Sequence, residues 1–265
     1  MDSIAKAVQK ARGMAQLIPP SPGLWTSGNR AAPAVRRLDP DDIRGAHEQT
    51  SAEPTILLSE AALRAGLIVA FDANAAPSRH YDLLRDQIVH GHQSPGPMVI
   101  AVTAASSGCG ATVTAANLAF TFARNPAYRV ALIARDEEHH QSLRSYFGLT
   151  QQNWRTDAGK EGGAIVRVAN VQLRLAPLGP DRDSSEALIG HAGATQNRQA
   201  NVVFIDLPAL PTSDIATSYI ARSTDVVVVL AAGETTPAEV QSCKSVLGQR
   251  NGVHYVLNKS GRHGL

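Results

Sequence analysis

Seven residues, Ser106-Ser107-Gly108-Cys109-Gly110-Ala111-Thr112, stand between the apolar run Met98 to Val102 and a segment of helical character that begins at Thr112. A glycine-rich turn from a buried strand into a helix N-terminus suits a phosphate group, because unpaired backbone N–H groups and the helix dipole both point at the ligand. Gly108 and Gly110 supply the turn, and the backbone from Ser107 through Val113 is the candidate cradle. The P-loop pattern G-x-x-x-x-G-K-[ST] needs a lysine at the position that Ala111 holds. The dinucleotide pattern G-x-G-x-x-G competes for the same residues, but Val113 stands where its third glycine belongs. A third reading is that the glycines only make a tight turn.

Oxygen donors for a magnesium ion beside such a loop would be Thr112, Asp136 and Asp206, a depleted set for a cation that demands well-placed oxygens. Each acid has a plainer reading: Asp206 as a strand-end acid capping the next turn, Asp136 as a solvated loop acid beside Glu137 and Glu138. Cys109, near a helix N-terminus, is either a thiol of lowered pKa or a small loop residue without chemistry. The pair His139-His140 lacks the partner spacing of a metal site and reads as a solvated loop.

These residues need a scaffold, and the apolar runs describe one. Strands are expected at 98–102, 129–134, 171–175, 202–205, 226–230 and 254–257, the first of them apolar on both faces as a central parallel strand should be. Helical periodicity falls at 112–124, 141–147, 184–192, 215–221 and 237–247. Strands alternating with helices predict an α/β fold of P-loop type: a mostly parallel sheet with helices on both faces. Ahead of it, 59–63 reads as a helical turn and 67–71 as a short extended segment. Residues 78–90 form a helix with Tyr81, Leu84 and Ile88 on one face. The N-terminal extension divides into a short amphipathic helix over 1–17, with Ile4, Val8, Ala11 and Ala15 at helical spacing, and a Pro- and Gly-rich linker over 18–58 expected to be disordered. Residues 59–95 lead into the domain over 96–260, and 261–265 form a tail.

At 265 residues and 43% apolar content the chain can bury one substantial core. A net charge of +2, with no basic stripe interleaved with aromatics, argues against nucleic acid as a partner. Two cysteines are too few for a disulfide framework and fit a reducing compartment. No apolar run approaches the roughly 20 residues of a spanning helix. The expected location is therefore cytoplasmic, peripheral to a membrane at most.

Taken together, Val99 to Ala104, the Gly108-x-Gly110 turn and Ala115-Ala116-Asn117-Leu118-Ala119 resemble the opening of bacterial tyrosine kinases and their exopolysaccharide-biosynthesis relatives, within the deviant-Walker group that also holds the MinD and ParA ATPases. Ala131 to Asp136 is similar to the second Walker-type motif, Val202 to Pro208 to Walker B, and Val256-Leu257-Asn258 to the last strand with its base-contacting asparagine. Met1 to Ala7 looks like the start of stand-alone cytosolic members, and Ser78 to Arg85 resembles the helix that pairs subunits in their rings.

The resemblance implies ATP or ADP with magnesium as the cofactor, and inner-membrane work beside a membrane-embedded chain-length or export protein. It also makes the departures informative. Family lysines stand at the positions of Ser106 and Ala111, a family aspartate at that of Ala134, and the tyrosine-rich tail has no counterpart after Tyr255. The expectation is a catalytically impaired regulatory or assembly subunit that binds nucleotide weakly. Two alternatives stand beside it: an active kinase or ATPase borrowing Lys160 or Arg135 as its cation, and a MinD- or ParA-like positioning protein whose basic N-terminal helix meets lipid.

Overall fold

The computed structural model describes residues 55–93, 96–134, 137–150, 164–177, 200–210 and 213–260. The expected amphipathic helix over 1–17, the helix over 184–192, and Arg135, Asp136 and Lys160 lie outside the described residues.

Eight strands form one sheet in the order β1-β4-β5-β3-β6-β2-β7-β8. They are β1 (Thr55–Leu57), β2 (Met98–Ala104), β3 (Val130–Ala134), β4 (Ala164–Val168), β5 (Val171–Pro177), β6 (Val202–Asp206), β7 (Asp225–Ala231) and β8 (Val253–Asn258). The run from β5 to β8 is parallel throughout, and the exception is the antiparallel β4–β5 hairpin. Six helices accompany the strands among the described residues: α1 (Glu60–Ala65), α2 (Ser78–Gly91), α3 (Ala111–Ala123), α4 (Glu137–Tyr146), α5 (Asp214–Arg222) and α6 (Pro237–Leu247). The expected P-loop-type α/β architecture is therefore present.

Side-chain alternation splits the central strands into two cores. Ile100, Val102, Leu132, Phe204 and Val227 face α1 to α4, where Phe120 and Phe122 of α3 are fully buried. Val99, Ala101, Ile133, Val203 and Val226 face α5 and α6. Burial on both faces explains why β2, β3 and β6 read as unbroken apolar runs. The α3 helix is buried continuously from Thr114 to Phe122, so the segment that leaves the glycine turn is held rigidly between the sheet and its neighbouring helices.

Four elements depart from the sequence reading, and the first is α4, which begins at Glu137 and so places His139-His140 in a helix instead of the expected loop. Residues 67–71 are not extended: Leu67 adopts a left-handed φ of 60°, and the segment turns beneath α3. Its backbone needs are met by a side chain instead of a strand. Asn117 Oδ1 accepts from Val69 N at 2.9 Å and Ala70 N at 3.0 Å, while Asn117 Nδ2 donates to Leu67 O at 3.0 Å and Val113 O at 2.9 Å. The unforeseen strand β4 pairs with β5 through the two-residue turn Ala169-Asn170, where Ala169 carries a φ of 49° without a glycine to signal it. The short β1 falls inside the stretch read as linker to residue 58 and lies parallel to β4.

Candidate functional site

The phosphate-type loop leaves the C-terminal end of β2, at the centre of the sheet, between β6 and β7. Two residues of the loop require glycine-like backbone: Gly108 at φ 81° and Gly110 at φ 93°. A Cβ on Gly108 would meet nothing, so that side of the turn is open. At Gly110 a Cβ would collide with Asn258 Nδ2, whose amide donates to Cys109 O at 2.8 Å. Asn258, at the end of the edge strand β8, thus clamps the turn from the far side of β7.

Gly110 is also the N-cap of α3, and no side chain caps the helix there. Thr114 N bonds back to Gly110 O at 3.0 Å, so the N–H groups of Ala111, Thr112 and Val113 form the helix's uncapped first turn. An open left-handed turn leading into such a helix fits a phosphate oxygen, which would satisfy the orphan donors and gain from the dipole. The expected cradle residues Ser107 to Val113 are brought together, and Ala111 stands at the head of α3. A methyl group there offers no positive charge.

Asp206 ends β6 and is 1% exposed. Its register neighbours are Val102 of β2 and Ala134 of β3, which places it at the root of the loop. The turn after it is fastened to β2: Leu207 N donates to Val102 O at 2.9 Å, and Thr103 Oγ1 donates to Pro208 O at 2.6 Å. Ala134, where the resemblance implies an acid, contributes only apolar packing beside Asp206. Among the described residues no three His, Cys, Asp or Glu side chains gather as a metal site. Of the expected magnesium ligands Thr112, Asp136 and Asp206, the first and last are described, Thr112 in the first turn of α3 and Asp206 at the end of β6, and phosphate oxygens would complete such a site.

Cys109, within the loop, is almost fully buried, with its Sγ 3.4 Å from Ser106 Oγ and 3.6 Å from Thr235 Oγ1. Burial pushes this thiol up, but hydrogen bonds from Ser106, Thr235 and nearby backbone outweigh it and leave the pKa below its ordinary value. Cys243, on α6, is displaced the opposite way: burial raises it, aided by the Glu239 charge.

Sequence reasoning missed the loop's rim. Thr235 also accepts from Ala231 N at 2.8 Å, so the turn after β7 is braced against Cys109. Glu234, next to it, receives Lys259 Nζ at 2.9 and 2.8 Å on its two oxygens. Glu239 closes a capping box with Thr236 at the start of α6, its carboxyl lowered first by the Thr236 backbone N–H and then by that hydroxyl, with Ser106 adding to the set. The Thr-x-x-Glu spacing before α6 was the legible sign of this cap.

At the opposite end of the sheet, Asp225 opens β7 with its carboxylate held by Thr224 Oγ1 at 2.8 Å, His92 Nδ1 at 3.0 Å and His254 Nε2 at 3.6 Å. Desolvation raises this acid, and the neighbouring His254, His92 and Thr224 side chains more than reverse it. His92 follows α2, so the cluster ties the end of that helix to β7 and β8.

No protein-family model matches the chain, and no curated protein matches it. Among solved structures, the kinase domain of the Escherichia coli tyrosine kinase ETK is similar over 81% of this chain and 94% of that one, at 16% identity and a TM-score of 0.54. The chimerical protein CapA2B2 is similar over 81% of this chain and 97% of that one, at 22% identity and a TM-score of 0.53. The fold of a bacterial tyrosine kinase domain is thus shared across most of the chain. Among the described residues, no helix is long and apolar enough to cross a membrane.

Proposed function

We propose that the chain is a catalytically impaired member of the tyrosine-kinase-like P-loop family, acting as a regulatory or assembly subunit in exopolysaccharide biosynthesis and export. The observation that carries this reading is Ala111: a methyl group heads α3 in a loop whose glycine turn, uncapped helix and underlying acid are otherwise formed. Phosphoryl transfer depends almost wholly on positioning and on cations that stabilise charge developing on the phosphoryl oxygens. Losing one such stabiliser costs about 3–4 kcal/mol of transition-state energy. Position 106 is a serine and position 134 an alanine, so two further supports of the chemistry are absent.

The scaffold that would receive partners is retained. The α2 helix rests Ile88 in the core and exposes Leu83, with Arg85 bonded to Asp82 and Asp86, and it is the surface proposed for pairing with a second copy. The membrane-embedded polysaccharide chain-length or export protein is the proposed partner at the inner membrane. ATP or ADP, with magnesium shared by phosphate oxygens, is the proposed weak ligand.

Restoring the charge tests the assignment. Ala111→Lys should tighten ADP binding about tenfold, as expected for one new charge-assisted contact of about 1.4 kcal/mol. Unchanged affinity in a correctly folded variant would mean that the loop does not receive the phosphates.

A further inference from the structure

Lys259 follows directly after Asn258, whose amide already touches the loop at Cys109 O, at 2.8 Å. Its backbone is left-handed, with φ at 57°, an uncommon state for a residue with a side chain. That conformation bends the backbone at the end of β8. The Lys259 ammonium meets Glu234, and Glu234 precedes Thr235, whose hydroxyl lies 3.6 Å from Cys109 Sγ. Two separate routes therefore connect this lysine to the glycine turn, one through Asn258 and the other through Glu234 and Thr235.

The ion pair itself is open to water: side-chain exposure is 41% for Lys259 and 59% for Glu234. Exposed pairs of this kind contribute little and exchange partners readily. Glu239 lies beside Ser106 of the loop and Glu234 adjoins Thr235 in the chain, so two carboxylates stand near the rim and no lysine stands at 111.

We propose that Lys259 is the cation of this phosphate loop, held by Glu234 in the resting state and transferred to the ligand's phosphate oxygens on binding. The inference rests on the reading of the loop as a phosphate site and adds its regulation: Glu234 is an internal competitor for the ligand's charge. A lysine ammonium suits this exchange, being a compact charge on a flexible stem. It would supply attraction from the rim rather than the in-line contact that a lysine at 111 would make, so it serves binding without restoring transfer.

The experiment is calorimetric titration of the full chain with ADP and, separately, with adenosine at low salt, for the native protein, Lys259→Met, Lys259→Arg and Glu234→Gln. The expected result is ADP affinity lowered about tenfold in Lys259→Met, largely retained in Lys259→Arg and raised several-fold in Glu234→Gln, with adenosine binding unmoved. If the native protein binds ADP and neither Lys259→Met nor Glu234→Gln alters that affinity, the lysine assignment is overturned while the loop assignment stands. If ADP binds no better than adenosine to the native protein and to Ala111→Lys alike, the loop assignment fails and takes this one with it.

Discussion

The side-chain amide of Asn258 donates to the carbonyl of Cys109 at 2.8 Å and fills the space that a Cβ on Gly110 would need. One contact thereby joins β8, the last strand in the chain, to the turn between β2 and α3. It also explains why Gly110 is a glycine for two reasons at once, a φ of 93° and a neighbour already in place. The asparagine's nearest work is on the protein's own loop, a role that its resemblance to a base-contacting residue did not suggest.

Gly110→Ala should therefore destabilise the fold by about 2 kcal/mol, combining left-handed strain with the displacement of Asn258. Gly108→Ala meets no neighbour and should lose only the strain, about 1 kcal/mol. Urea unfolding followed by circular dichroism separates the two; equal losses would show that the Asn258 contact carries no weight.

Asn117 makes all four of its hydrogen bonds to backbone groups, and the segment 67–70 depends on them. Asn117→Ala leaves the buried N–H groups of Val69 and Ala70 without acceptors and should cost about 3 kcal/mol. Amide exchange should accelerate first at those two residues. Retained protection there would contradict the role given to this side chain.

How far the sequence disclosed this arrangement depends on whether the signal is local. Strands β2, β3, β6 and β7 were legible because burial on both faces forces an unbroken apolar run. The loop was legible because only glycine tolerates its two left-handed residues cheaply. Residues 67–71 misled, since Leu-Ile-Val-Ala-Phe has the composition of a strand, and only the distant Asn117 decides that it turns. β4 escaped notice because its turn uses Ala169-Asn170 in place of a glycine pair, so the hairpin rests on pairing with β5 rather than on turn chemistry. The rim formed by Glu234, Thr235 and Lys259 assembles from two segments some 25 residues apart and leaves no pattern in either.

Asp225 gives a dependence on pH whose sign follows from its lowered pKa. An acid whose folded pKa lies below its unfolded value of about 3.9 adds stability above that value and loses it as pH falls through the folded one. Stability of the native protein should thus decline below about pH 4 more steeply than that of Asp225→Asn, which lacks this titration. Parallel acid limbs for the two proteins in urea titrations would refute the assignment. The substitution should also loosen the end of α2, by weakening the contact between Asp225 and His92 Nδ1.

The two thiols are shifted in opposite directions, Cys109 down and Cys243 up. Alkylation followed by peptide mass spectrometry across pH should find Cys109 labelled at lower pH than Cys243. Both are buried, so both should react more slowly than in the unfolded chain. Thr235→Val removes one donor to Cys109 and should move its profile upward; an unmoved profile would place the cause elsewhere.

The central claim, a retained phosphate loop without transfer chemistry, meets its most direct test in one assay. Purified protein is incubated with magnesium and radiolabelled ATP beside Asp206→Ala, and phosphate release and phosphotyrosine are both followed. Neither signal should exceed that of Asp206→Ala. Turnover or tyrosine phosphorylation in the native protein that Asp206→Ala abolishes would contradict it.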